Sequence, residues 1–162
     1  MKRAVNVVTI VIGILTVMLV SCKSSNEPTQ TTGSVSGKVT FVGTWPATGE
    51  VQVGIYANLQ PPYIPMGPPE AFTDPIPAGT MEYDYKLEGL EKGTYTAIYV
   101  SWRDPANPAA SKILGMYWAH PDSVGIDTST GFTVPVTAPT PITIDDNNLD
   151  WTNLDIKADL GL

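Results

Sequence analysis

The chain has 162 residues, and its nine Lys and Arg against 16 Asp and Glu give a formal charge of −7. A surface of that sign repels nucleic acid and anionic lipid, which excludes a function resting on a basic patch. One cysteine and one histidine exclude an internal disulfide framework and a zinc site built from several histidines.

The first 22 residues differ from the rest. Lys2 and Arg3 form a positive start, and Ala4 to Val20 is a Val, Ile and Leu segment diluted only by Asn6, Thr9 and Thr16. Spanning a bilayer takes about 17–25 apolar residues, so length alone allows a transmembrane helix. The small Ser21 directly before the lone Cys22 favours processing over spanning. The run Leu19-Val20-Ser21-Cys22 resembles the lipobox of bacterial lipoproteins. That resemblance implies that residues 1–21 are a signal peptide and that Cys22 is lipidated with a diacylglyceryl thioether and an N-acyl chain of the palmitate kind. Several acyl chains anchor stably where one is marginal. By resemblance to enterobacterial sorting, where Asp after the acylated cysteine retains a lipoprotein in the inner membrane, Lys23 points to the outer membrane. Residues 22–33 (CKSSNEPTQTTG) hold no large apolar side chain and are expected to be a flexible tether.

Residues 34–162 are one domain's worth of chain. With 14 glycines and 15 prolines in the chain, turns are frequent, and no apolar period of 3.6 residues survives for three turns after the leader. Strand patterns recur instead. In chain order they are 35–42, with Val35, Val39 and Phe41; 51–57, where Val51, Val53 and Ile55 alternate with Gln52, Gly54 and Tyr56; and 81–87, where Met81, Tyr83, Tyr85 and Leu87 alternate with Glu82, Asp84 and Lys86. Residues 94–102 are apolar on both faces toward their end, which predicts a central strand. Segments 113–118, 131–136, 142–144 and 149–160 complete the set. Seven or eight strands at this spacing predict an all-β chain, an antiparallel sandwich or small barrel.

The stretch Tyr83-x-Tyr85-x-Leu87-x-Gly89-Leu90-x-x-Gly93-x-Tyr95-x-Ala97 resembles the signature of carboxypeptidase regulatory-like domains. Ser36-Gly37-Lys38-Val39-Thr40-Phe41 and Val51-x-Val53-x-Ile55 are similar to that family's first two strands. The resemblance implies a transthyretin-like (prealbumin-like) β-sandwich, also called the carbohydrate-binding-like fold. In it Gly89 and Gly93 would take positive φ around a tight turn, Leu90 would plug one end, and Tyr95 would face inward. A departure from the family is the long segment 58–80, with seven prolines (Pro61, Pro62, Pro65, Pro68, Pro69, Pro75, Pro77) beside Tyr63, Ile64, Met66, Phe72 and Ile76. Its apolar content predicts order, either as a lid over an open edge or as a recognition surface.

Chemistry for catalysis is sparse, and the chain is read as a non-enzyme without cofactor. His120-Pro121-Asp122-Ser123 has triad residue types, but neighbours in a Pro-containing loop seldom converge. Asp145, Asp146, Asn148 and Asp150 supply oxygen atoms that suit calcium, without the Gly and distant Glu of an EF-hand loop, and an Asx-rich turn explains them equally. Among the aromatics, Trp45, Trp102, Trp118, Tyr63 and Tyr117 are the candidate ligand-binding residues, since sugar rings stack on flat aromatic faces; Trp102, Trp118 and Trp151 equally suit a core. The expectation is a lipid-anchored envelope module without catalysis, binding an envelope protein or, alternatively, a glycan. Replacing Cys22 by Ala should abolish fatty-acid labelling and move the full chain from membrane to soluble fractions; unchanged fractionation with unlabelled protein would contradict the anchor.

Overall fold

A computed structural model describes residues 30–162 of the chain; the leader, Cys22 and residues 23–29 lie outside them. The described residues form an all-β fold of eleven strands and no helix. Six strands carry the framework: β1 (Gly33–Val42), β2 (Glu50–Ala57), β4 (Glu82–Leu90), β5 (Gly93–Asp104), β6 (Asn107–Met116) and β11 (Ile156–Asp159). The rest are short: β3 (Ala71–Phe72), β7 (Ile126–Asp127), β8 (Val134–Pro135), β9 (Ile142–Ile144) and β10 (Asp150–Trp151). The surplus over eight comes from β3 and β7, two-residue pairings too short to carry an alternating pattern, and from the division of 149–160 into β10 and β11.

Two sheets share one core. In the first, β1 is central, with β4 on one side and β10 and β11 on the other. In the second, β3, β2 and β5 run in order, and the far edge of β5 is covered by β9 at its start and β6 at its end. Inward residues follow the period of two: Val35, Val39 and Phe41 from β1, Val51, Val53 and Ile55 from β2, Ile98 and Val100 from β5, and Ile156 and Ala158 from β11 are buried together. Burial of each such aliphatic side chain contributes roughly 1.5–3 kcal/mol. β5 is apolar on its other face too: Ala97 and Tyr99 join Ile113 and Met116 in a second cluster, roofed by Leu59, Trp118 and Ile126.

The first sheet is mixed and not purely antiparallel, because β1 pairs in parallel with both β10 and β11. The reason lies at residues 145–148. There Asp145 and Asn148 form a reciprocal bridge and Asp145 Oδ1 accepts the N–H groups of Asn147 and Asn148 at 2.8 and 3.0 Å, turning the chain back beside the start of β1. The chain then ascends alongside β1. The expected continuous strand 149–160 is broken between β10 and β11, where Leu154 dips into the core beside Gly37 and Asn153 takes φ +60°.

The turn between β4 and β5 follows the expected geometry in part. Gly89 has φ +73°, Leu90 is buried, and Tyr95 faces inward with its hydroxyl donating to Glu91 O at 2.9 Å. Gly93 does not take positive φ: it opens β5 in ordinary strand pairing with Ile144. β1 begins at Gly33, and Gln30 before it already reaches Asp150.

Two glycines stand where backbones come closest, one between the sheets and one within the first sheet. A Cβ on Gly115 of β6 would lie 2.2 Å from Lys157 O of β11, and one on Gly37 would lie 2.4 Å from Leu154 O. Gly115→Ala should therefore lower stability by about 1–3 kcal/mol in denaturant titration. Gly93→Ala, with nothing within 4 Å of its added carbon, should stay within about 1 kcal/mol of the parent. Equal losses from both would contradict the close approach.

Candidate functional site

The strands of both sheets end together, opposite the point where the chain enters at Gly33, and there a cavity of about 140 Å³ opens between them. Trp102 comes from the end of β5, Lys112 and Leu114 from β6, Leu160 and Leu162 from the chain after β11, and Pro46 from the loop after β1. Cross-strand register sets Lys112 opposite Trp102. The indole is fixed, because its Nε1–H donates to Thr48 O at 2.8 Å and Gly49, at φ +84°, leaves no room on that side for a Cβ, which would sit 2.2 Å from Nε1. Lys112 Nζ donates to Leu162 O at 2.9 Å. The lining is thus apolar with a single ammonium.

The candidate aromatics do not gather on one platform. Trp45 packs on Phe41 with ring centres 5.2 Å apart, and its Nε1–H donates to Thr80 O at 3.0 Å. Trp102 and Tyr117 lean on the main core, whereas Trp118 packs on the second cluster and meets His120 edge-on at 4.8 Å. Trp118 Nε1–H donates to Ser123 O and Trp151 Nε1–H to Thr143 O, each at 2.9 Å. All four indoles are half-buried with their one donor satisfied by backbone, which is how a tryptophan behaves at the margin of a core. Tyr63 stands apart in the Pro-rich segment at φ +63°, where its carbonyl accepts the Tyr99 hydroxyl at 2.8 Å.

The oxygen-rich run 145–150 is explained by its turn. Asp145 is occupied by backbone N–H groups, Asp146 pairs with Lys92, and Asp150 accepts the Ser34 hydroxyl at 2.7 Å, a bond that holds its carboxyl below the usual carboxylate range. Among the described residues no three His, Cys, Asp or Glu converge on a point where a metal ion would sit. The His120–Ser123 run is a turn closed by Ser123 N–H on His120 O at 3.0 Å.

The Pro-rich segment is a crossover between the sheets. After the bend through Tyr63 it runs back along β2: the N–H groups of Glu70, Thr73 and Ile76 donate to the carbonyls of Ile55, Val53 and Val51 at 2.8–2.9 Å. Thr73 Oγ1 also accepts Val53 N–H at 3.1 Å, Gln52 Nε2 donates to Thr73 O at 2.7 Å, and Ile76 enters the core. Proline falls at 69, 75 and 77, between or beyond the donating residues, so the missing N–H groups cost nothing in this ladder. The edge of β2 is covered, while Met66 (93% exposed), Phe72 (55%) and Ile64 stay in solvent. Arg103, paired with Glu50 at 3.0 Å, lies 6.0 Å from the Phe72 ring centre.

Sequence reading reached Trp102 but not its neighbours in the cavity. Pro46, Lys112, Leu114, Leu160 and Leu162 come from three separate stretches, and no local spacing links them. Compared with protein-family models, curated proteins and solved structures, the chain finds no match in any of the three.

Buried phenols give the fold an alkaline limit. Burial pushes the hydroxyls of Tyr85 and Tyr99 well above the ordinary phenol value, and those of Tyr56 and Tyr95 upward, with Glu70 and Glu91 adding to the effect at Tyr95. A phenol whose folded pKa exceeds its unfolded value of about 10 supports the fold fully below that pH and loses the support as pH rises toward the folded value. Tyrosinate absorbance of these residues should therefore appear together with loss of β circular dichroism above about pH 10. Independent titration of all tyrosines in a folded chain would contradict this.

Proposed function

We propose that the chain is a lipid-anchored protein of the cell envelope, held on the outer membrane through Cys22, whose β-domain acts as a non-catalytic structural or protein-interaction module. The domain is read as a transthyretin-like sandwich of the carboxypeptidase regulatory-like kind. The two sheets around one core and the Gly89–Leu90–Tyr95 turn support that assignment. The anchor rests on the leader and the Ser21-Cys22 junction. No helix among the described residues is long and apolar enough to cross a membrane.

One observation carries the interaction reading: the crossover is pinned to β2 by backbone hydrogen bonds yet leaves Met66, Phe72 and Ile64 in solvent. Apolar side chains on a fixed backbone lose little entropy when a partner covers them. Proline-rich segments with such anchors are a recurring recognition element. Half-burial and backbone hydrogen bonds at all four indoles favour this reading over stacking on a glycan. The acidic chain makes nucleic acid an unsuitable partner.

A photo-cross-linking residue at position 66 or 72 of the full chain, expressed in a bacterial envelope, should give discrete protein adducts that position 147 does not give. Met66→Asp should reduce the adducts formed from position 72. A blank at both positions with protein correctly localised would remove the reading, and a glycan-array signal lost in Trp102→Ala or Trp118→Ala would install the carbohydrate alternative.

A further inference from the structure

The Pro-rich crossover bends at the end of the domain where the chain enters. β2 ends at Ala57 opposite Tyr95, near the start of β5, and β5 opens just after Leu90, the partner of Gly33. Residues 58–69 therefore hang beside Gly33, on the side from which the chain leads back to Cys22. Gln30 is eight residues after Cys22, a stretch that spans at most about 29 Å. A bilayer that holds Cys22 is within reach of this loop.

The loop has the composition for such a surface. Its twelve residues, NLQPPYIPMGPP, hold no charged side chain, and five are prolines. Lipid cannot bond a backbone N–H, so each open donor taken into it costs free energy, and proline has no donor to lose. Between Pro61 and Pro69 only Tyr63, Ile64, Met66 and Gly67 carry an N–H, and that of Tyr63 is already bonded to Gln60 O at 2.7 Å. Met66 is almost fully exposed, Ile64 is exposed beside it, and a Cβ on Gly67 would meet nothing within 4 Å, so the tip projects from the body of the domain. Its base is fixed: Leu59 packs on the second cluster, and Tyr63 O accepts the hydroxyl of buried Tyr99. Apolar side chains on such a backbone enter lipid with little ordering cost.

Charge selects the kind of lipid. Around this end stand Glu70, Glu91, Asp145 and Asp150, with Lys92 paired to Asp146. Those carboxylates oppose an anionic headgroup layer, whereas an electroneutral one admits the tip without repulsion.

We propose that Ile64 and Met66 insert into the interface of the electroneutral bilayer that carries the Cys22 anchor. The inference rests on the anchored reading and adds a second point of contact to it, which sets the orientation of the domain. β1 then rises from the lipid, and Phe72, farther along the crossover beside Gly54 of β2, stays in water for a protein partner. A protein adduct from position 66 marks a partner lying in the same lipid surface.

The test uses the full acylated chain in phosphatidylcholine vesicles whose acyl chains carry a photoactivatable diazirine, with adducts located by peptide mass spectrometry. Lipid adducts should fall on residues 63–67 and not on residues 44–48, at the other end of the domain. Ile64→Asp combined with Met66→Asp should lower the tip adducts several-fold; both side chains are exposed, so the replacements leave the core intact. Phosphatidylglycerol in place of phosphatidylcholine should also lower them several-fold at low salt, and added salt should restore them. Vesicle-bound chain without tip adducts, or with adducts spread evenly over its surface, overturns the insertion and leaves the anchor standing. A higher yield in phosphatidylglycerol overturns the electroneutral assignment. A chain that carries no acyl group and does not float with the vesicles rejects anchor and insertion together.

Discussion

The contact of Leu154 with Gly37 is the constraint on which the rest of the first sheet depends. β1 must be flanked on both sides, yet the strand that completes it has to bring a leucine into the core midway. Gly37 provides the space, since any Cβ would fall 2.4 Å from Leu154 O. The break is then repaired by polar bonds: Leu154 N–H donates to Ser36 O at 3.1 Å, Tyr85 hydroxyl to Leu154 O at 2.7 Å, and Lys38 N–H to Asp155 Oδ1 at 2.9 Å. Unpaired backbone at a sheet interruption would cost about 1–3 kcal/mol per buried group, so these bonds decide whether the break is tolerable. Beyond them β11 resumes pairing with β1 from Val39 to Val42 and meets β6 at Gly115.

With that side closed by β11 on β6, the opposite side is closed by the proline-rich crossover from β2 to β4. The two closures differ in kind. One is a near-contact of backbones that glycine permits; the other is a covalent connection whose N–H groups complete the β2 ladder while its prolines occupy positions that need no donor. Together they leave little free sheet edge on β2. β4 carries Glu82, Asp84, Lys86 and Glu88 on its outward face, charges of the kind that discourage a further strand from adding there.

How much of this was legible in the sequence follows from the range of each signal. β1, β2, β4 and β5 were readable because alternation is local and each sets several apolar residues on the buried face. The double-sided burial of β5 was readable because Ala97 and Tyr99 on one face, like Ile98 and Val100 on the other, carry no charge and suit burial. The parallel return beside β1 was not, since it depends on where the turn at Asp145 delivers the chain. Nor was the break at Leu154, because its cause, Gly37, lies more than a hundred residues away. The tryptophans were open to two readings for a related reason: a residue type says that a flat aromatic face exists, while neighbours such as Thr48, Thr80, Thr143 and Ser123 decide how that face is engaged. The oxygen-rich run 145–150 read equally as ligand set or turn, because the hydrogen-bond partners that form its turn are set by the fold and not by residue type.

The position of β1 has a mechanical consequence. The chain enters the fold through the strand at the centre of its sheet, and that strand is gripped on one side by β4 and on the other by β10 and β11. Tension arriving from the residues before Gly33 acts along β1 and loads its lateral hydrogen bonds in shear, many at once. It does not peel them one by one, as it would on an edge strand pulled across its length. Ser34 and Gln30, both bonded to Asp150, take up the load first. A domain fixed at one end to a surface and held at the other by a partner would resist being drawn open because the pulled strand is the one with neighbours on both sides.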